Sequence, residues 1–136
     1  MLRTLLLIVP LLFSSLCFAQ TEAETQAVAA AKAWLQLVDD GKYDDSWEQA
    51  ASVFRNNVAK SQWKKMVQGV RDPLGALQER QLDSAKYTST LPGAPDGEYV
   101  IVQFKTTFAN KAAAVETLTP MKDADGQWRV SGYFIR

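Results

Sequence analysis

The chain has 136 residues, of which 47% are hydrophobic, and its 15 basic and 15 acidic residues give a formal net charge of zero. This length suits one compact domain, and the balanced charge argues against nucleic acid as a partner. The sequence has no histidine, and its one cysteine is Cys17. These counts exclude Ser-His-Asp and Cys-His catalysis and a thiolate zinc site in the rest of the chain, so we expect no cofactor, no metal and no catalytic residue of those kinds.

Residues 1–19 have the three parts of a secretory signal peptide. Arg3 supplies the positive charge, residues 5–16 are mostly apolar, and Ala19 is the small residue that ends a cleavage site. We therefore predict cleavage after Ala19, which leaves one domain over residues 20–136.

Two other interpretations of this segment are less consistent with the sequence. A membrane anchor needs roughly 20 apolar residues, and the apolar run here is shorter. A lipoprotein needs a small residue before the modified cysteine, but Leu16 precedes Cys17. We therefore predict a periplasmic or secreted protein that has no stable membrane insertion after cleavage.

The first predicted helix follows the signal peptide directly. Thr21 and Glu24 have the spacing of a capping box, and Gly41 is a natural end for the helix. Small and apolar side chains recur on one face at helical spacing. The predicted buried face comprises Ala27, Val28, Ala31, Trp34, Leu35 and Val38.

Two more helices are predicted before the strands begin. The second opens at Asp45, and the third is capped by Ser61 and ended by Pro73. The second is predicted to bury Trp47, Ala50, Ala51 and Phe54, and the third Trp63, Met66, Val67 and Val70. In both helices the tryptophans are better explained as core residues than as the lining of a ligand cavity.

Four acidic residues surround Gly41, which raises the question of a cation site. They are Asp39, Asp40, Asp44 and Asp45. The ligand spacing of an EF-hand is absent, and roles at the two helix ends explain most of these carboxylates. We therefore predict no metal site here.

After Gly75 the pattern changes to four strands, separated by turns at residues 92–97, 110–111 and 123–126. Helices followed by consecutive antiparallel strands predict an α+β fold, with three helices packed on a curved four-stranded sheet. This order is similar to NTF2-like cone folds, an analogy of architecture that implies no function.

The turns predict a register for the last three strands. A turn at residues 110–111 pairs Phe104 with Thr117, and a type I turn ending at Gly126 pairs Met121 with Trp128. The predicted helix-facing residues are Val100, Val102, Phe104, Val115, Trp128, Val130 and Phe134, and the opposite face carries Lys105, Glu116, Arg129 and Tyr133. Glu116 is then expected in an exposed ion pair with Lys105 rather than as a general acid or base.

The first strand alternates poorly, and a bulge near residues 83–84 would restore its pattern. Such a bulge returns Leu82 to the core, places Ala85 and Tyr87 on the inner face and points Arg80 toward the helices. A guanidinium there can bind a carboxylate or phosphate in bidentate fashion, with Trp63 as one wall of the site.

Arg71 is the third candidate for ligand binding, besides Arg80 and Trp63. The alternative is that both arginines pair internally. Arg80 has Glu48 or Asp72 as possible partners, and Arg71 has Asp72 or a helix carbonyl. We regard internal pairing of Arg80 as the better explanation.

Five segments of the mature chain resemble a known family. They are residues 34–41, 46–47, 70–75, 91–99 and 125–133, the last reading Asp-Gly-Gln-Trp-Arg-Val-Ser-Gly-Tyr. Together they resemble domain of unknown function 4019, a group of small exported bacterial proteins. The resemblance covers nearly the whole mature chain. It implies an exported single domain and no established activity.

The sequence therefore predicts an exported binding or envelope-accessory domain without catalysis, whose partner is a small ligand or an envelope protein. The alternative is a small cone-fold enzyme of isomerase or hydrolase type. That enzyme needs an inward-facing carboxylate or tyrosine in a roomy pocket, whereas a filled core favours binding.

Overall fold

The computed structural model describes residues 20–136, and the predicted signal peptide at residues 1–19 lies outside them. The helices are α1 (Glu22–Asp39), α2 (Tyr43–Glu48), α3 (Ser52–Asn57) and α4 (Lys60–Leu74); the strands are β1 (Leu77–Thr88), β2 (Tyr99–Phe108), β3 (Lys111–Lys122) and β4 (Trp128–Ile135). The predicted α+β class is confirmed, with four helices instead of three between residues 20 and 136. No helix in this part of the chain is long and apolar enough to cross a membrane.

Helix α1 matches its prediction closely. The Thr21 hydroxyl accepts from the Glu24 N–H, and the Glu24 carboxylate accepts from the Thr21 N–H, which completes the capping box. The buried residues of α1 are the six that the helical spacing predicted. This helix packs across all four strands and is the centre of the core.

The predicted second helix is two short helices, because the chain becomes extended at Ala51. The Ala51 N–H donates to the Val130 carbonyl at 2.8 Å, which attaches the break to β4. The Asp123 carboxylate then accepts from both the N–H and the hydroxyl of Ser52. The segment at Ala51 and Ser52 therefore connects the helices to β4 at the edge of the sheet and to the turn between β3 and β4.

Helix α4 differs from its prediction at both ends. It begins after Ala59, without a side-chain cap, and it passes through Pro73 to end at Leu74. Pro73 is the last residue but one of the helix, and Asn110 donates to the carbonyls of Pro73 and Leu74, which have no partner within the helix. The next residue, Gly75, has a φ of 74°, and a Cβ there would lie 3.1 Å from the Ala109 side chain.

The buried face of α4 is narrower than predicted. It consists of Trp63, Val67 and Arg71. Met66 and Val70 are 52% and 50% exposed, so their predicted burial is wrong. They lie on a flank of the helix that no other described element covers.

The four strands form one antiparallel sheet in the order β1-β2-β3-β4. The turn between β2 and β3 is at Ala109–Asn110 and not at Asn110–Lys111, and β3 has one extra residue between Lys111 and Ala114. Together these make the predicted register of β2 with β3 wrong by one residue. Phe104 therefore pairs with Glu116. A one-residue slip reverses the faces of a strand, so Glu116 points toward the helices and Val115 lies opposite Lys105.

The register of β3 with β4 was also predicted wrongly. Asp123 pairs with Gln127 around the turn, and Gly126 has the expected positive φ of 83°, but Trp128 then pairs with Lys122 instead of Met121. Between Val130 and Tyr133, β4 has one residue more than β3. This bulge turns Tyr133 inward, although it was predicted on the outer face, and turns Phe134 outward.

The predicted bulge in β1 is confirmed. The pairing with β2 shifts between Leu82 and Ser84, so Asp83 is the extra residue. Leu82 and Ala85 pack against the core as expected. Tyr87, which was predicted on the inner face, is 38% exposed because it lies near the end of the strand. The shift also directs Arg80 toward the helices.

Candidate functional site

The most unusual feature of the core is a buried carboxylate. Glu116 on β3 has no exposed surface. Its Oε1 accepts from Arg80 Nε at 2.7 Å and from Thr106 Oγ1 at 2.6 Å. Its Oε2 accepts from Arg80 Nη2 at 3.2 Å and from the Tyr133 hydroxyl. The expected exposed ion pair with Lys105 is therefore wrong, and Lys105 lies near Asp83 instead.

Arg80 bridges this carboxylate to a second one at the end of α1. Arg80 Nη1 donates to Asp39 Oδ2 at 2.6 Å, and Nη2 donates to Asp39 Oδ1 at 3.0 Å. All three guanidinium nitrogens thus donate to carboxylates. The internal pairing is confirmed in kind, but its partners are Asp39 and Glu116 rather than Glu48 or Asp72.

Arg71 joins the same network from α4. Its Nη2 donates to Asp39 Oδ1 at 2.8 Å, so its partner is Asp39 and not Asp72. Its guanidinium carbon lies 4.8 Å from the centre of the Phe108 ring, a cation–π contact. Nε and Nη1 of Arg71 are buried and have no hydrogen-bond partner among residues 20–136.

These six residues are called the buried polar network below: Asp39, Arg71, Arg80, Thr106, Glu116 and Tyr133. Two guanidinium groups face two carboxylates, so the network is electrically balanced. Such a set is stable in a low-dielectric core only when the charges are paired and hydrogen-bonded. The network connects α1, α4 and all four strands through side chains alone.

The pKa shifts reflect this pairing. Burial by itself would raise the pKa of the Asp39 carboxyl, but the hydrogen bonds and charges of Arg80 and Arg71 hold that pKa below its ordinary value. Burial raises the pKa of the Tyr133 phenol well above its ordinary value, and the negative charge of Glu116 raises it further. Asp39 is therefore held ionised, and Tyr133 is held as a neutral hydrogen-bond donor.

The chemistry open to Glu116 follows from its contacts. Each of its two oxygens already accepts two hydrogen bonds from the protein. A general acid or base needs an atom within hydrogen-bond reach of substrate. Neither of the two largest grooves on the described surface includes Glu116 in its lining. The enzyme alternative required an inward-facing carboxylate or tyrosine in a roomy pocket. Glu116 is inward-facing but has no exposed surface, and Tyr133 lines a groove of only about 180 Å³ between α4 and the end of β4.

Trp63, the third predicted ligand residue, lies apart from this network. Its Nε1 donates to the buried Ser46 hydroxyl at 2.9 Å, and the Ser46 carbonyl accepts from Trp34 Nε1 at 2.8 Å. The Phe54 ring packs edge-on against Trp63, with centroids 5.2 Å apart. Trp63 is therefore a core residue, and its outer edge contributes to a surface groove described below.

Three openings on the described surface are relevant to binding. The largest, of about 460 Å³, runs between α1 and the start of β4; we call it the α1–β4 groove. Its lining includes Ala30, Ala33, Leu37, Gln49, Gln127, Trp128 and Arg129. A smaller apolar groove, of about 180 Å³, lies between α4 and the end of β4. A cleft of about 270 Å³ beside Arg71 is bordered by Asp39, Tyr43, Asp72 and residues 75–77.

The rim of the α1–β4 groove is held in place by its own contacts. Arg129 Nη1 and Nη2 donate to the two Asp125 oxygens at 2.8 and 2.7 Å, and Nη1 also donates to Asp123. The hydrogen bonds from Arg129 lower the pKa of Asp125 to about 2. Trp128 Nε1 donates to Gln26 Oε1 at 3.1 Å, which connects this rim to α1. The groove therefore has a fixed tryptophan and a fixed arginine at its edge.

Sequence reasoning identified Arg80 and Arg71 but missed Asp39 as their shared partner, and it missed Glu116 and Tyr133 as members of the site. The sequence signal for Glu116 was its pairing position in β3. The predicted register placed Thr117 instead of Glu116 opposite Phe104 and so assigned Glu116 to the outer face. The signal for the bulge that turns Tyr133 inward was Gly132, because an isolated glycine within a strand often marks a bulge.

The comparisons with known proteins agree with the resemblance noted in the sequence. A search of curated proteins finds no match. Residues 30–133, which include both arginines, Glu116 and Tyr133, match the family described as Protein of unknown function (DUF4019). The chain therefore belongs to the DUF4019 family.

Proposed function

We propose that this protein is an exported, non-catalytic domain that binds another protein of the cell envelope. The observation that supports the proposal is the saturation of Glu116, whose two oxygens are fully occupied by Arg80, Thr106 and Tyr133. A carboxylate used in this way holds the sheet to the helices and leaves no lone pair for a substrate. Export through residues 1–19 and a kinship with NTF2-like cones are parts of the same proposal.

The α1–β4 groove is the surface that we assign to this partner. It is open to solvent along its length, which suits a polypeptide better than a small ligand, because small ligands are mostly enclosed by their sites. Tryptophan and arginine are the residues that most often dominate binding energy at protein interfaces. Trp128 and Arg129 are already fixed by Gln26 and Asp125, so little side-chain entropy is lost on binding.

Site-specific photocrosslinking in intact cells tests this proposal without knowledge of the partner. A photoreactive amino acid replaces Ala33, an exposed residue of the groove, or Lys86, an exposed residue of β1 that serves as the matched control. We expect a protein adduct of discrete mass from position 33, weakened by Trp128→Ala, and none from position 86. No adduct from position 33, or equal adducts from both positions, contradicts the proposal.

The same assay separates binding from catalysis. Glu116→Gln keeps the size of the side chain but removes its charge. If Glu116 is structural, the variant loses adduct formation only as far as it loses folded protein, which circular dichroism measures in parallel. Suppose that the variant stays folded and crosslinks normally but cannot replace the wild-type protein in cells that lack it. That result would support the enzyme alternative.

A further inference from the structure

We infer that the cleft beside Arg71, called the Arg71 cleft below, binds a small carboxylate ion through the guanidinium group of Arg71. The cleft has a volume of about 270 Å³ and lies where the end of α4 meets the start of β1. It shares no lining residue with the α1–β4 groove, so the inference does not depend on the proposed envelope partner.

Arg71 has hydrogen-bond donors that the described part of the chain leaves unused. Its side chain is 6% exposed, and Nη2 donates to Asp39 Oδ1 at 2.8 Å. Nε and Nη1 are the only buried side-chain nitrogen or oxygen atoms of residues 20–136 that have no hydrogen-bond partner there. Buried donors without a partner are rare in proteins, and they cost more stability when the group is charged. These two nitrogens therefore require an acceptor from outside residues 20–136.

The carboxylates of the buried polar network are mostly committed to Arg80. Within the described residues, Arg80 makes four hydrogen bonds to Asp39 and Glu116, whereas Arg71 makes one, to Asp39. Arginine frequently binds a carboxylate through two parallel N–H···O bonds. The charge of Arg71 is therefore less completely neutralised than that of Arg80, which favours an anion over a neutral acceptor.

The cleft gives access to Arg71 and restricts what can reach it. Arg71 forms part of the cleft wall, and half-buried Tyr43 and exposed Asp72 and Ala76 border it. Because the unused nitrogens lie below the surface, the occupant must be small and must enter with its oxygens first. Asp72 repels a doubly charged anion more strongly than a singly charged one, since the Coulomb energy grows with charge. These two conditions fit a monocarboxylate better than a phosphate.

The guanidinium group of Arg71 is already fixed in the absence of a ligand. Its central carbon lies 4.8 Å from the centre of the Phe108 ring, and Asp39 holds Nη2. A group fixed in this way loses little side-chain entropy on binding. We therefore expect that acetate, the smallest stable carboxylate with a methyl group, binds with a dissociation constant of about 1–100 mM.

Titration of the purified protein with sodium acetate tests the site at a single group. The Nε–H signal of Arg71 is followed in a proton–nitrogen correlation spectrum, while sodium chloride keeps the ionic strength constant. We expect a saturable shift of the Arg71 signal. Arg55 is the control, because it lies on α3 outside the cleft and its Nε donates to the Ala50 carbonyl, and its signal should not shift in this way. Acetamide, the neutral analogue of acetate, should leave both signals unchanged.

Three results of the titration overturn the inference. The first is an Arg71 signal that shows no saturable shift with acetate. The second is the same shift with chloride alone, which would mean a nonspecific counterion. The third is the same shift with acetamide, which would mean that the cleft takes a neutral acceptor.

Asp72→Asn provides a variant that keeps Arg71 and the buried polar network intact. Because Asp72 is exposed, the substitution should leave the fold unchanged, and it removes a like charge from the edge of the cleft. The acetate dissociation constant should therefore fall about two- to fivefold. Asp96→Asn is the matched control, since Asp96 is exposed and follows the opposite end of β1. An affinity that Asp72→Asn leaves unchanged or weakens, or that both variants change equally, contradicts binding in the Arg71 cleft.

Discussion

Tyr133 and Phe134 are neighbours on β4, yet they belong to two regions with opposite chemistry. The Tyr133 hydroxyl lies in the buried polar network and donates to Glu116. The Phe134 ring lies on the opposite face, 56% exposed, beside an unpaired strand edge. Inside, nearly every polar group has a partner, whereas outside neither the backbone nor the apolar side chains are covered. The difference indicates that the buried polar network maintains the fold, while the surface of the same strand is available for binding.

The largest effect should come from removing the buried carboxylate. Glu116→Ala leaves Arg80 with an unpaired part of its charge in the core and should lower the free energy of unfolding by about 3–5 kcal/mol. Urea denaturation measures the loss. Lys105→Ala, on the other face of the sheet with a side chain 69% exposed, is the control and should change stability by less than about 0.5 kcal/mol. Equal effects of the two substitutions would contradict the distinction between the regions.

A smaller loss of stability is expected from Ser46, which forms a buried hydrogen bond between uncharged groups of two helices. Ser46→Ala removes the hydroxyl that accepts from Trp63 Nε1, which leaves a buried indole N–H without a partner. We expect a loss of about 1–3 kcal/mol in the same denaturation assay. Ser84→Ala, on the exposed surface of β1, is a matched control. A loss no larger than that of the control would show that Ser46 does not support the tryptophan.

The pH dependence of stability tests the ionised state of Asp39. Its pKa is lower in the folded protein than in the unfolded chain, so the unfolded state binds more protons in acid and stability rises with pH there. The stabilisation is present above about pH 4, the ordinary pKa of an aspartate, and is lost as the pH falls through the folded pKa. Asp39→Asn should make the acid side of the stability curve flatter. A variant curve parallel to that of the wild type would contradict this role.

The smallest effect on stability is expected at the edge of the sheet. Phe134→Lys should change the free energy of unfolding of the dilute protein by no more than about 0.5 kcal/mol, because the ring is mostly exposed and fills no core space. The measurement is thermal or urea unfolding of the variant and the wild type. A loss as large as that of Glu116→Ala would mean that Phe134 belongs to the core and that the two regions are not distinct.

Local features of the fold were predictable, and long-range ones were not. The capping box and buried face of α1 follow from residue spacing within one helix, and both predictions are confirmed. The bulge at Asp83 was predictable because strict alternation would have buried a charge. In each case the relevant physical constraint acts over a few neighbouring residues.

The register failed because the turn between β2 and β3 was placed one residue too late and the extra residue of β3 was not foreseen. Around the correctly placed Gly126 turn, the pairing of β3 with β4 was set one residue off. Ala109–Asn110 and Asn110–Lys111 are equally acceptable turns on sequence grounds, and agreement between the hairpins could not separate them. The choice is made by tertiary contacts, since Asn110 also donates to the end of α4. The same slip concealed Glu116, and the bulge before Tyr133 concealed the phenol that completes its hydrogen bonds.

The claim that Glu116 is structural is tested most directly by a double-mutant cycle with Arg80. Arg80→Ala, Glu116→Ala and the double variant are compared with the wild type by urea denaturation. We predict that the double variant loses less stability than the two single variants together, with a coupling of about 0.5–3 kcal/mol, because the second substitution removes a charge that the first left unpaired. Additive losses, with no coupling between Arg80 and Glu116, would contradict the account.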